Sequence, residues 1–128
     1  MRRTIGLVIS VIAGGVIAAG TAQAAGNPEA GAKVFTRCKA CHTAEPGKNR
    51  IGPSLYGVVG RMSGAEPGFN YSPAMKNAHI VWTPENLNKY LTNPKAVVPG
   101  NKMAFPGVKD PKEREDVISY LETLGGKH

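Results

Sequence analysis

Only two cysteines occur in the 128-residue chain, so a multi-disulfide scaffold is excluded. Aromatic residues make up just 6%, which leaves a thin core unless something apolar besides protein fills it. There is no block of like charges and no interleaving of Arg or Lys with aromatics, which speaks against nucleic-acid binding. No sustained alternation of apolar and polar residues marks a strand, and no stretch repeats. Apolar runs are few too; the long one, "TIGLVISVIAGGVIAAG", lies directly behind Arg2 and Arg3.

Those two arginines, the apolar run and Ala22-Gln23-Ala24 follow the n-region, h-region and cleavage-site order of a secretory signal. As an uncleaved span the run is at the lower limit of length, and its Gly and Ala content favours removal. The expectation is a cleaved signal peptide over residues 1–24 and a single domain over 25–128. The remaining 104 of 128 residues suffice for one small domain. Sixteen Lys and Arg, less the two removed, leave 14 against nine Asp and Glu, a formal +5. A basic exported protein suits acidic partners, although basicity also serves solubility.

Four places show a polar residue, then Pro, then a helical pattern: Asn27-Pro28, Ser72-Pro73, Thr83-Pro84 and Asp110-Pro111. Each polar side chain can accept an N–H bond at a helix start, where Pro loses nothing by lacking its own. Helices are therefore expected near 28–38, 73–79, 84–92 and 111–124, with Asn93-Pro94 ending the third and Gly125 stopping the fourth. Glu113, three residues after Asp110, has the spacing of a capping box. Val34, Phe35 and Cys38 share a face of the first helix, and Val117, Tyr120, Leu121 and Leu124 a face of the last. Packing of these two helices would close an all-α fold. Residues 43–71 are rich in Gly and Pro, too long a loop for so small a domain unless it wraps a large apolar object.

The stretch "RCKACHTAEPGKNRIGP" supplies that object. A structural zinc site needs four ligands, and His79 and His128 form no second ligand pair with Cys38, Cys41 and His42. A thioredoxin-like reading needs a βαβ context, which is absent. Haem attachment fits: two thiols one helical turn apart can form thioethers to two vinyl groups, with the adjacent imidazole under the iron. For the second axial position the candidates are Met62, Met75, Met103 and His79. Met103 stands out because Pro99, Gly100, Pro106 and Gly107 bracket it in a stiff loop, where a methionine used as core filler is unusual.

The stretches "CKACH", "IGPSLYGVVGR", "FNYSPAMKN", "WTPENLNKYLTNPKAVVPGNKMAF" and "GVKDPKEREDVISYLE" resemble, in this order, the class I cytochromes c of mitochondria and the bacterial periplasm. The resemblance covers essentially all of the chain behind the signal. It implies a small cytochrome c fold, with N- and C-terminal helices packed together and loops and short helices wrapping one covalent haem c. It implies Cys38 and Cys41 as thioether residues, with His42 and Met103 as the two iron ligands. Pro53 matches the residue whose carbonyl accepts the other ring N–H of the axial imidazole. Arg61, Tyr71 and Trp82 match groups around the inner haem propionate, Tyr90 the neighbour of the Met sulfur, and Phe105 the aromatic at the exposed haem edge. Met75 and Asn101 depart from the pattern, standing where Asn and Thr respectively are common.

What the resemblance implies for function is a soluble, periplasmic one-electron carrier rather than an enzyme, since two protein ligands leave no open iron position. Its partners would be acidic faces of redox proteins, such as an oxidoreductase complex and a terminal oxidase, met by a monomer in transient docking. Arg37, Lys39, Lys95, Lys102 and Lys109 flank the attachment motif and the Met loop, where a cationic ring would steer such partners. A haem enzyme or gas sensor would instead need a labile sixth position.

Overall fold

The computed structural model of the protein describes residues 10–15 and 26–125. The expected cleavage motif lies outside the described residues, and 10–15 carry no regular structure. From residue 26 onward the elements are α1 (Pro28–Phe35), α2 (Pro73–Lys76), α3 (Pro84–Thr92), α4 (Pro94–Val97) and α5 (Pro111–Glu122). Among the described residues, extended pairing is limited to one antiparallel bridge between Met62 and Val81, and the fold is all-α.

One local rule starts every helix. Asn27, Ser72, Thr83, Asn93 and Asp110 each accept a first-turn backbone N–H, and each precedes a Pro. The expectation treated Asn93-Pro94 as a stop alone. It ends α3 and also begins α4, with the Asn93 side chain accepting from the Ala96 N–H. The second expected helix is one turn, ending at Lys76, and α5 ends at Glu122 with Gly125 left-handed at φ 48.

The capping box at α5 is only half formed. Asp110 accepts from the N–H groups of Lys112 and Glu113 at 2.8 and 3.2 Å. The Glu113 carboxylate turns away and takes two bonds from the Arg37 guanidinium, each 2.8 Å. A bidentate charge-assisted pair is stronger than one bond to a backbone N–H. It also ties the end of α1 to the start of α5.

The two terminal helices pack against each other. Gly31 lets them cross closely, because a Cβ there would overlap the Asp116 carbonyl. Phe35, 1% exposed, lies 5.0 Å from the Tyr120 ring at a 47° tilt. Asp116 is buried at the crossing, where it accepts from the Asn27 N–H at 2.8 Å and from the Lys112 ammonium. On α5, Val117 and Leu121 are buried as expected, Tyr120 and Leu124 only half-buried, and Ile118 is fully buried. The apolar stripe is wider than its sequence spacing suggests because α5 also packs on α3.

Candidate haem site

The first turn of the site grows out of α1. Regular α-helix was expected to residue 38 but stops at Phe35, and the chain tightens into i−3 bonds. The N–H of Arg37 donates to the Val34 carbonyl at 3.1 Å and that of Cys38 to Phe35 at 2.8 Å. This is the tightened winding common at helix ends. The Cys41 and His42 N–H groups then both donate to the Cys38 carbonyl, at 3.1 and 2.8 Å. Cys38 thus sits one turn before the adjacent Cys41 and His42. No disulfide joins Cys38 and Cys41, both half-buried, and burial pushes the Cys38 thiol up.

His42 is oriented by the loop that follows. Its Nδ1 lies 2.7 Å from the Pro53 carbonyl oxygen. An N–H on Nδ1 donates there, leaving the Nε2 lone pair for a metal. The loop is latched by the Gly52 N–H, which donates to the Cys41 carbonyl at 2.8 Å. Gly52 is needed for space, since a Cβ would run into the imidazole. Burial lowers the His42 pKa, outweighing the Pro53 bond that raises it, and the nearby Arg61 charge lowers it further. The ring is thereby kept neutral, the form that ligates metals.

Arg61 is 7% exposed and faces inward. One terminal nitrogen, Nη1, donates to the Ser54 carbonyl at 3.0 Å and to the Glu66 carboxylate at 2.9 Å. Its Nε is buried without a partner among the protein atoms. Tyr71 is also buried; its hydroxyl accepts from the Glu66 N–H at 3.1 Å, and burial raises its pKa. Trp82 is held beside Arg61 by its backbone N–H, which donates to the Arg61 carbonyl at 2.8 Å. Its ring lies 4.8 Å from that of Tyr90, whose pKa burial pushes up to about 12.

The four axial candidates separate by environment. Met62 is 43% exposed on the bridge to Val81, and His79 is exposed with a left-handed φ of 52. Met75 and Met103 are both partly buried against the core. Met103 follows the left-handed Gly100, and its N–H donates to the Asn101 carboxamide oxygen at 2.9 Å. Phe105 lines a surface groove of about 430 Å³ with Asn93, Lys95, Ala104 and Pro106.

Two participants escaped the sequence analysis. Glu66 lies in a Gly- and Pro-rich stretch that reads as solvated loop, yet its side chain is only 10% exposed. Its one signal was the isolated Arg five residues earlier. Asn101 was noted only as a departure. Its role appears once α4 is seen to fold back beside it.

These residues suit a haem. The two thiols lie one turn apart beside an imidazole whose Nε2 is available, and the unpartnered Arg61 Nε–H suits a carboxylate. Among the described residues no cluster of three or more His, Cys, Asp and Glu side chains offers a competing metal site. Fold and site together define an all-α haem-c protein of class I.

The comparisons agree. The cytochrome c family profile matches residues 28–125, and the chain belongs to that family. It is 56% identical over 100 residues to cytochrome c2 of Rhodopila globiformis, covering 77% of this chain and 94% of that one. Cytochrome c2 of Rhodomicrobium vannielii is 48% identical over 123 residues, covering 93% and 96%. Among solved structures, cytochrome cH from Methylobacterium extorquens superposes with TM-score 0.74 at 46% identity, covering 77% of this chain and 99% of that one. The protein is thus an electron carrier with one haem c, attached covalently at Cys38 and Cys41.

Proposed function

We infer that the chain is a soluble, monomeric one-electron shuttle between membrane or periplasmic redox complexes, with His42 and Met103 as the iron ligands. The observation that carries this reading is the His42–Pro53 contact, which aims Nε2. It is supported by the loop that holds Met103 against the core. When bound, the haem supplies a reversible one-electron couple, and His/Met ligation places it at moderately positive potential.

The chain's own residues do the rest. Cys38 and Cys41 anchor the group, and His42 and Met103 leave no iron position for substrate, so no bond of a partner is changed. Arg61, Tyr71 and Trp82, all buried, would surround the inner carboxylate, and the unpartnered Arg61 Nε–H would spare it the cost of unpaired burial. Tyr90 would lie beside the Met103 sulfur, and Phe105, which lines the surface groove, would stand at the exposed haem edge.

Docking is proposed to be cationic and brief. Lys39 and Lys102 are exposed. Lys95 and Lys109 bond only neutral backbone carbonyls, so their charge stands. Arg37 is offset by Glu113. Such a field attracts acidic redox proteins, for instance an oxidoreductase complex and a terminal oxidase. Residues 1–24 are proposed to be a cleaved export signal leading to the periplasm, which leaves one domain from residue 25. Among the described residues no helix is long and apolar enough to cross a membrane.

The decisive experiment is Met103→Ala. The expected variant loses the ferric Met–iron band, binds carbon monoxide readily and has a lower potential. An unchanged band and potential would remove Met103 as a ligand.

A further inference from the structure

Asn101 is 5% exposed and sits between α4 and Met103. Its carboxamide is committed wholly to backbone. Oδ1 accepts from the Met103 N–H at 2.9 Å, while Nδ2 donates to the carbonyls of Pro94 at 3.1 Å and Val98 at 2.9 Å. Its own N–H donates to Val98 at 3.1 Å. Pro94 and Val98 are themselves buried, so one side chain links a fixed helical turn to the residue carrying the sulfur.

Beyond this carboxamide the loop is tied by lysine bonds, Lys95 to the Asn101 carbonyl at 3.4 Å and Lys109 to the Pro106 carbonyl at 2.9 Å, and by the Val108 N–H donating to Leu91 at 2.7 Å, none of which reaches Met103 itself. Among the described residues, Met103 makes the one backbone N–H bond donated from positions 102–107. The partners also dictate the side chain. One acceptor and two donors are required on a single planar group; Asp has no donor, and Thr has only one.

We propose that Asn101 is a positioning residue for Met103, holding the loop so that the sulfur stays on the iron and external ligands are excluded. This rests on Met103 being the ligand. An external ligand binds only the fraction of molecules in which Met103 has left, so its apparent affinity reports that fraction. Without the carboxamide the loop opens more often.

The test is an imidazole titration of the ferric holoprotein, followed by loss of the Met–iron band. Asn101→Ala is expected to raise imidazole affinity about five- to tenfold, on the scale of losing the Met103 N–H bond, the one of the three carboxamide bonds that reaches the ligand residue. Asn101→Thr, which restores one acceptor and one donor, should fall between Ala and the parent. That variant also carries the test if Asn101→Ala fails to retain haem. Glu113→Ala serves as control: it removes the exposed Arg37 pair that helps tie α1 to α5 and should leave imidazole affinity unchanged. Parent-like affinity in the Ala or Thr variant would overturn the proposal, as would an equal rise in Glu113→Ala. A Met–iron band surviving in Met103→Ala would instead point to failure of the ligand assignment beneath it.

Discussion

His42 Nδ1 and the Pro53 carbonyl oxygen stand 2.7 Å apart, and the residue that makes room for the ring is Gly52, next to Pro53 in the chain. Gly52→Ala should therefore push the imidazole out of line with its acceptor. Overpacking of this kind costs about 1–3 kcal/mol. We expect a lower denaturation midpoint and a shifted reduction potential, read by denaturant titration and spectroelectrochemistry. A variant identical to the parent in both would show that the loop yields freely.

Arg61 and Glu66 form an ion pair with side chains 8% and 10% exposed. Removing Glu66 takes away the one carboxylate that the described residues offer the buried Arg61 charge. Glu66→Gln is expected to lower unfolding stability by about 3 kcal/mol. Urea unfolding checks this, and a loss of about 0.5 kcal/mol, the scale of surface pairs, would assign the pair no structural weight.

Asp116 gives a pH signature. The Asn27 N–H bond, and then Lys112, hold its carboxyl below the ordinary value of 3.8. A depressed folded value contributes stability that is present above the unfolded pKa and lost as pH falls through the folded one. Acid unfolding should therefore steepen below about pH 4. Asp116→Asn should flatten that segment while lowering stability at neutral pH; an unchanged acid limb would exclude Asp116 as its source.

The proposed docking charge predicts a graded salt response. Association with an acidic redox partner should slow steeply as salt rises, because screening shortens the reach of the field. Lys102→Glu should reduce both rate and slope. Arg37→Gln should matter less, since Glu113 already offsets that charge. Equal effects from the two, in stopped-flow kinetics over a salt series, would contradict the assignment.

Much of the fold was legible because its signals are local. Each cap and its Pro are adjacent in sequence, so α3 was placed to the residue at Pro84–Thr92. The one helix missed, α4, obeys the same rule at Asn93-Pro94, where a stop signal masked a start. What was not legible depends on distance. Glu113 fits a capping box until Arg37, 76 positions away in sequence, competes for it. Ile118 lies off the expected stripe yet is buried, on a helix that also packs against α3. In the site, "CKACH" and the bracketing of Met103 carry their own chemistry. The burial of Glu66 and the three bonds of Asn101 exist only after the loops close.

The contact between first and last helices has a consequence for assembly. Asn27 meets Asp116 across 89 positions, so a chain emerging from its N-terminus cannot seal until nearly all of it is available. Cys38 and Cys41 precede that sealing by some 70 residues or more, and long-range closure comes late and at an entropic cost. The attachment thiols thus lie in the part of the chain that is complete before the closing contact can form, and the last helix is the door that completes the packing.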